Sequence, residues 1–141
     1  MPKWIRKNNK ERLKEEVDTN LVSLLKFPAL EDTNLVKHAF STRMGGVSTG
    51  YLSSMNLSFT KESSYDNVLE NYKRVSKALG VNVEDMVLSY QTHTTNVLKA
   101  ESKHRGSGIL RKREYGDVDA LITNEKGVCL VTFFADCVPI Y

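Results

Sequence analysis

The spacing of apolar residues predicts one long helix and a series of short strands. Between Asp66 and Leu79 the apolar positions Val68, Leu69, Tyr72, Val75 and Leu79 recur at helical period. Ser64 or Asp66 can cap the start of this helix, and Gly80 follows its last turn, where a left-handed residue commonly stops the coil. Leu21–Phe27 is an apolar run ended by Pro28, read as a strand or a short helix within an N-terminal extension, residues 1–30. Leu35–Thr42 is rich in strand formers, and the paired glycines of Arg43-Met44-Gly45-Gly46-Val47-Ser48 mark a loop after it. Met86–Tyr90, Asn96–Ala100, Ala120–Thr123 and Val128–Phe134 are short apolar or β-branched runs, and Asn124-Glu125-Lys126-Gly127 resembles a hairpin turn between the last two. The glycine-rich stretch Arg105–Gly116 reads as a mobile surface loop. Together these elements predict an α+β domain over residues 31–141, with mixed β-sheets flanked by helices, in which the helix covers a sheet. The closing stretch Phe133–Tyr141 is an apolar strand without a polar tail, so the domain is expected to be incomplete.

Composition sets the compartment and excludes several partners. With 141 residues, 40% hydrophobic and 26% charged, the chain is ordinary for one globular domain. No apolar run follows the basic residues at the start, which argues against a signal peptide or a membrane span and places the protein in the cytoplasm. Cys129 and Cys137 fit neither a disulfide framework nor a CxxC pair, so reduced thiols are expected. The net charge of +3 comes from two basic clusters, Lys3 to Lys14 and Lys103 to Arg113. Acidic residues interleave with the first and no aromatic ladder accompanies either, so both read as solvated surface and nucleic acid is not an expected partner.

Three constellations carry candidate chemistry. His93, in Gln91-Thr92-His93, follows a strand and is flanked by Thr92, Thr94 and Thr95, a place from which imidazole can ligate a metal, shuttle a proton or simply hold the chain together. Asp136-Cys137 ends the most apolar strand, a costly place for a carboxylate without a positive or donating partner. A thiolate and an imidazole suit zinc or copper, yet two ligands are too few for a stable site. Cys129, deeper in the same strand, reads as a small buried hydrophobe. Arg43, Gly45, Gly46 and Ser48 form the third: backbone free of β-carbons, a guanidinium and a hydroxyl could hold phosphate or ribose, though a plain turn fits the spacing equally. His38 and His104 are not expected to be ligands.

In this order the segments His38–Ser48, Ser54-Met55-Asn56-Leu57, Glu70-Asn71, Gln91-Thr92-His93, Asp119–Thr123 and Ala135–Pro139 resemble the laccase-domain, or YfiH-like, family. The resemblance implies zinc-dependent purine nucleoside chemistry: phosphorolysis of adenosine, inosine, guanosine and methylthioadenosine, with adenosine deamination. It makes His93 and Cys137 metal ligands, and a third ligand belongs to a His-Ala-Gly-Trp-Arg-Gly stretch past the cysteine. On that reading Arg43, Gly45, Gly46 and Ser48 hold phosphate or ribose, Asn56 and Gln91 bond the nucleoside, and Asp136 and Asp119 act as acid or orienting groups. Two positions depart from the family pattern, Thr94 and Ser58, where the family usually has glycine. A copper-dependent polyphenol oxidase is the rival activity, disfavoured by the few histidines and cysteines, and an inactive fragment lacking the third ligand is the other alternative.

Overall fold

A computed structural model describes residues 12–62, 64–134 and 137–140. The architecture is α+β, built of small sheets and few helices, and contacts divide it into two compact units, one ending at Leu79 and the other beginning at Gly80.

In the first unit, β1 (Lys14–Val17), β2 (Ser23–Lys26) and β3 (Phe40–Ser41) form an antiparallel sheet in the order β1-β2-β3. The ambiguous run before Pro28 is therefore a strand, and Pro28 opens a single helical turn, α1 (Pro28–Glu31). β2 carries part of this unit's core. Val22 and Leu24 are buried there with Met55, and Val75, Ala78 and Leu79 of the long helix pack against them. Val22, Leu24 and Met55 each contribute roughly 1.5–3 kcal/mol on burial. Within the expected Leu35–Thr42 strand, Phe40 and Ser41 pair with β2 and the Thr42 N–H donates to Ser23 O at 3.0 Å, while Leu35 and Val36 are exposed. β1 had no apolar signal to announce it; Glu16 instead meets Lys14 at 2.6 Å and Lys26 at 2.5 Å.

The long helix, α2 (Tyr65–Leu79), lies within one residue of its expected span. Ser64 Oγ accepts the Asn67 backbone N–H at 3.3 Å, an N-cap bond, and Gly80 follows at φ +71°. Its buried residues are Val68, Asn71, Tyr72 and Ser76, so two polar side chains share the apolar stripe. Phe59 stacks on Tyr65 and Tyr72, and the Tyr72 hydroxyl donates to Leu57 O at 2.8 Å.

The second unit holds two parallel strand pairs: β4 (Met86–Leu88) with β7 (Cys129–Val131), and β5 (Val97–Lys99) with β6 (Ala120–Ile122). The expected hairpin at Asn124–Gly127 does not form, because β6 and β7 pair with separate earlier strands. The turn only redirects the chain. The stretch after Arg105 is not a loose surface loop either. Gly106 N–H donates to Met86 O at 2.8 Å and Leu88 N–H donates to Ser107 O at 3.1 Å, so this stretch satisfies the edge of β4 that β7 leaves open. Ser107 and Ile109 are buried as a result. The basic residues nearby are spent internally: Lys103 on Glu101 at 2.7 Å, Arg105 on Asp85 at 2.5 Å, and Arg113 over the Tyr90 ring at 4.8 Å. Among the described residues no helix is long and apolar enough to cross a membrane.

Candidate active site

His93 sits on a loop closed at both ends by the segment before β6. Past the end of β4, Tyr90 and Val118 exchange backbone hydrogen bonds of 3.0 and 2.8 Å. Before β5, Asn96 O accepts the N–H groups of Asp119 at 3.1 Å and Ala120 at 3.2 Å. Residues 91–95 must arch between these two anchors. His93 takes a left-handed backbone, φ +63°, unfavourable for a side chain with a β-carbon and held only where its surroundings fix it.

What fixes it is the Asp119 carboxylate. Oδ1 accepts the His93 N–H at 2.8 Å; Oδ2 accepts the N–H groups of Thr92 at 3.1 Å and Thr94 at 3.0 Å, together with the Thr94 hydroxyl at 3.0 Å. Desolvation pushes this carboxyl upward, but the donors from Thr94, Thr92 and His93 outweigh it and hold the group down at about 2. Asp119 is thus an anion at neutral pH. Asp117, also left-handed at φ +60°, accepts the Thr92 hydroxyl, and its backbone oxygen takes the Asn96 amide at 3.0 Å. Neither Asp117 nor Thr94 stands out in the sequence as a site residue, since a carboxylate serving a loop more than twenty positions away leaves no local pattern.

The His93 side chain is exposed, as are Gln91 and Cys137. The His93 backbone N–H is taken by Asp119, and Cys137 is a free cysteine. Asp136 lies outside the described residues. As a donor set, imidazole nitrogen and thiolate sulfur fit zinc and supply two of its usual four positions. Among the described residues no group of three His, Cys, Asp or Glu side chains is placed to hold a metal ion. The other two histidines serve the backbone. His38 Nε2 accepts the Phe27 N–H at 2.7 Å, and His104 Nδ1 accepts the Glu101 N–H at 2.9 Å within a capping box. Cys129 is partly buried, and desolvation, with the Asp85 charge, raises its thiol to about 11.

The glycine-rich candidates belong to the other unit and meet their own chain there. A β-carbon on Gly45 would lie 2.4 Å from Val22 N, and one on Gly46 would lie 2.0 Å from Ser54 O. These glycines therefore admit backbone crossings rather than leaving a cradle open. The Arg43 guanidinium donates to the carbonyls of Tyr51 and Ser53. Asn71, wholly buried, organises the rest: Oδ1 accepts the Val47 N–H at 2.8 Å, and Nδ2 reaches Ser48 Oγ at 3.1 Å and Asn56 O at 2.8 Å. Asn56 itself bonds Ser58 through both ends of its amide. Ser48 and Asn56 are thus joined through Asn71, and Gln91, His93, Asp119 and Cys137 all lie in the second unit. The signal for Asn71 was available in sequence, as an amide inside an apolar helical stripe.

A family model described as multi-copper polyphenol oxidoreductase laccase matches residues 37–141. A purine nucleoside phosphorylase of Bacteroides thetaiotaomicron is 31% identical over 118 residues, 83% of this chain and 44% of that protein. Purine nucleoside phosphorylase LACC1 of Mus musculus is 33% identical over 144 residues, covering 92% of this chain and 30% of its own length. Among solved structures, the hypothetical protein YfiH of Bacillus licheniformis superposes with a TM-score of 0.73 at 28% identity, over 87% of this chain and 45% of that one. The chain spans less than half the length of these relatives.

Proposed function

The chain belongs to the multi-copper polyphenol oxidoreductase laccase family, and on that premise we propose that it serves the phosphorolysis of purine nucleosides, with His93 and Cys137 as ligands of a zinc ion. The observation that carries the reading is the presentation of His93: an exposed imidazole on a loop whose backbone is fixed by three N–H groups donating to one carboxylate. Relatives named purine nucleoside phosphorylase supply the substrate class, a nucleoside and phosphate.

Phosphorolysis joins a phosphate oxygen to C1′ of the ribose while the bond from C1′ to the purine nitrogen breaks, and the leaving base takes up a proton. Zinc in such a site supplies Lewis-acid stabilisation of developing negative charge. The chain's own residues hold and orient. Gln91, exposed near His93 in the chain, would bond the nucleoside through its amide. Asp119 orients rather than donates, because it stays ionised at neutral pH. Asp136 is the candidate acid, by its place next to Cys137. Arg43, Gly45, Gly46, Ser48 and Asn56 act through the shape of the segment they build around Asn71. Adenosine deamination, in which water replaces the amino group as ammonia, is assigned to the same site.

The protein incubated with adenosine, phosphate and zinc is expected to release adenine and ribose 1-phosphate, with inosine from the deamination. His93→Ala and Cys137→Ala should each lower turnover at least roughly 100-fold, the upper end for loss of a metal ligand's support. Turnover indifferent to both substitutions would overturn the assignment. Phenol oxidation with oxygen uptake in the presence of copper would favour the rival activity. Two of the three histidines are already committed to backbone N–H groups, which weighs against a cluster of coppers.

A further inference from the structure

We infer that Asp119 is the positioning residue that aims His93, and that the Thr94 hydroxyl is what seats Asp119 for this task. The inference rests on the reading of His93 as a ligand and adds the device that orients it. Three successive backbone N–H groups, Thr92, His93 and Thr94, converge on one carboxylate, with the middle residue left-handed. Such a run of amides forms a concave anion-binding nest. Here the anion is internal. A substrate phosphate is therefore not bound by this nest, which the Asp119 side chain occupies.

The division of labour between the two oxygens makes a carboxylate necessary. Oδ1 serves His93 alone, while Oδ2 takes Thr92 N–H, Thr94 N–H and the Thr94 hydroxyl. An asparagine has one accepting oxygen, so it leaves either the His93 amide or the threonine pair facing an NH2 group. Asp119 is in turn fixed from its own backbone, whose N–H donates to Asn96 O at 3.1 Å. The loop and the segment before β6 thus lock one another, and the Cα–Cβ direction of His93 follows from that lock. Thr94 adds its hydroxyl to the same oxygen that its amide uses, and Asn96 N–H donates back to that hydroxyl at 3.4 Å.

The test compares the full chain with Asp119→Asn, Thr94→Val and Thr94→Ser, first without metal and then with zinc alone as probe. In the metal-free protein, amide exchange at residues 92–94 should accelerate at least tenfold in Asp119→Asn, and the His93 amide resonance should move upfield as its carboxylate bond is lost. Thr94→Val should accelerate exchange at residue 94 by a smaller factor, and Thr94→Ser should restore the wild-type rate. Zinc affinity, read by chelator competition, should fall roughly 10- to 100-fold in Asp119→Asn, the range for loss of a group that orients a metal ligand, and Thr94→Ser should match wild type. Unchanged exchange and resonance in Asp119→Asn overturns the inference. So does equal behaviour of Thr94→Val and Thr94→Ser, which decides the matter even if Asp119→Asn does not fold. Zinc that fails to bind the wild type while the exchange pattern holds would count against the metal reading and leave the lock standing.

Discussion

At Gly46 the chain leaves no room for a single carbon, because the nearest atoms are the backbone of Ser54 and Met55 rather than the end of a flexible side chain. Gly46→Ala should therefore destabilise the protein by about 3 kcal/mol, at the high end for overpacking, measured by urea unfolding followed through the tyrosines. The two cysteines give a second residue-level test. Burial holds the Cys129 thiol at about 11 against an ordinary 9.0, so at pH 8 its thiolate is roughly 100-fold scarcer than that of an unperturbed thiol, as two pKa steps require. A raised folded value means that the neutral thiol favours the native state below pH 9, and that this contribution is lost as pH climbs through 11. Alkylation followed by peptide mass spectrometry should modify exposed Cys137 first, with Cys129 responding only above about pH 9. Equal labelling at pH 8 would contradict the burial described.

The element on which most depends is α2, and within it Asn71. Replacing Asn71 with alanine strands the Val47 N–H and removes the donor shared by Ser48, Ser54 and Asn56. Unsatisfied buried groups cost roughly 1–3 kcal/mol each, so Asn71→Ala should lose about 3 kcal/mol and lower the melting temperature, and a loss under about 0.5 kcal/mol would show that the network is not cooperative. This helix was legible in sequence because all its signals are local: the 3.6-residue stripe, the Ser64 cap and Gly80. The strands were legible as apolar runs but not in their pairing. Asn124–Gly127 has hairpin chemistry, yet the partners of β6 and β7 lie far upstream, and no window of the sequence encodes a parallel register. β1 was missed for the opposite reason, since Lys14, Glu15 and Glu16 present no apolar face at all and pairing to β2 alone defines the strand.

For the whole molecule, the candidate His93 and Asp119 were visible as residue types, while the bond that joins Asp119 to the His93 loop was not, because Asp119 and Thr94 meet only in the folded chain. The glycine-rich segment leaves an anion cradle and a plain turn equally open in sequence, and the fold brings Val22 and Ser54 against its glycines. If zinc binds the native state alone, the folded chain gains about 2.7 kcal/mol at a free concentration one hundred times the dissociation constant. A calorimetric scan should accordingly show the transition rise with zinc and fall back on adding a chelator. His93→Ala and Cys137→Ala should scan alike with and without the metal, and a zinc-dependent rise in both variants would place the ion elsewhere.

The parallel register of β4 with β7 has a consequence for how the protein is made. Met86 leaves the ribosome well before Cys129, its opposite number, whereas β1, β2, β3 and α2 are all complete once Leu79 has emerged. A chain that has emerged as far as Gly108 can hold the antiparallel sheet under its helix, but β4 waits with one edge unpaired until the ribosome has delivered β7, and during that interval Val87 and Leu88 are the stretch a chaperone would find.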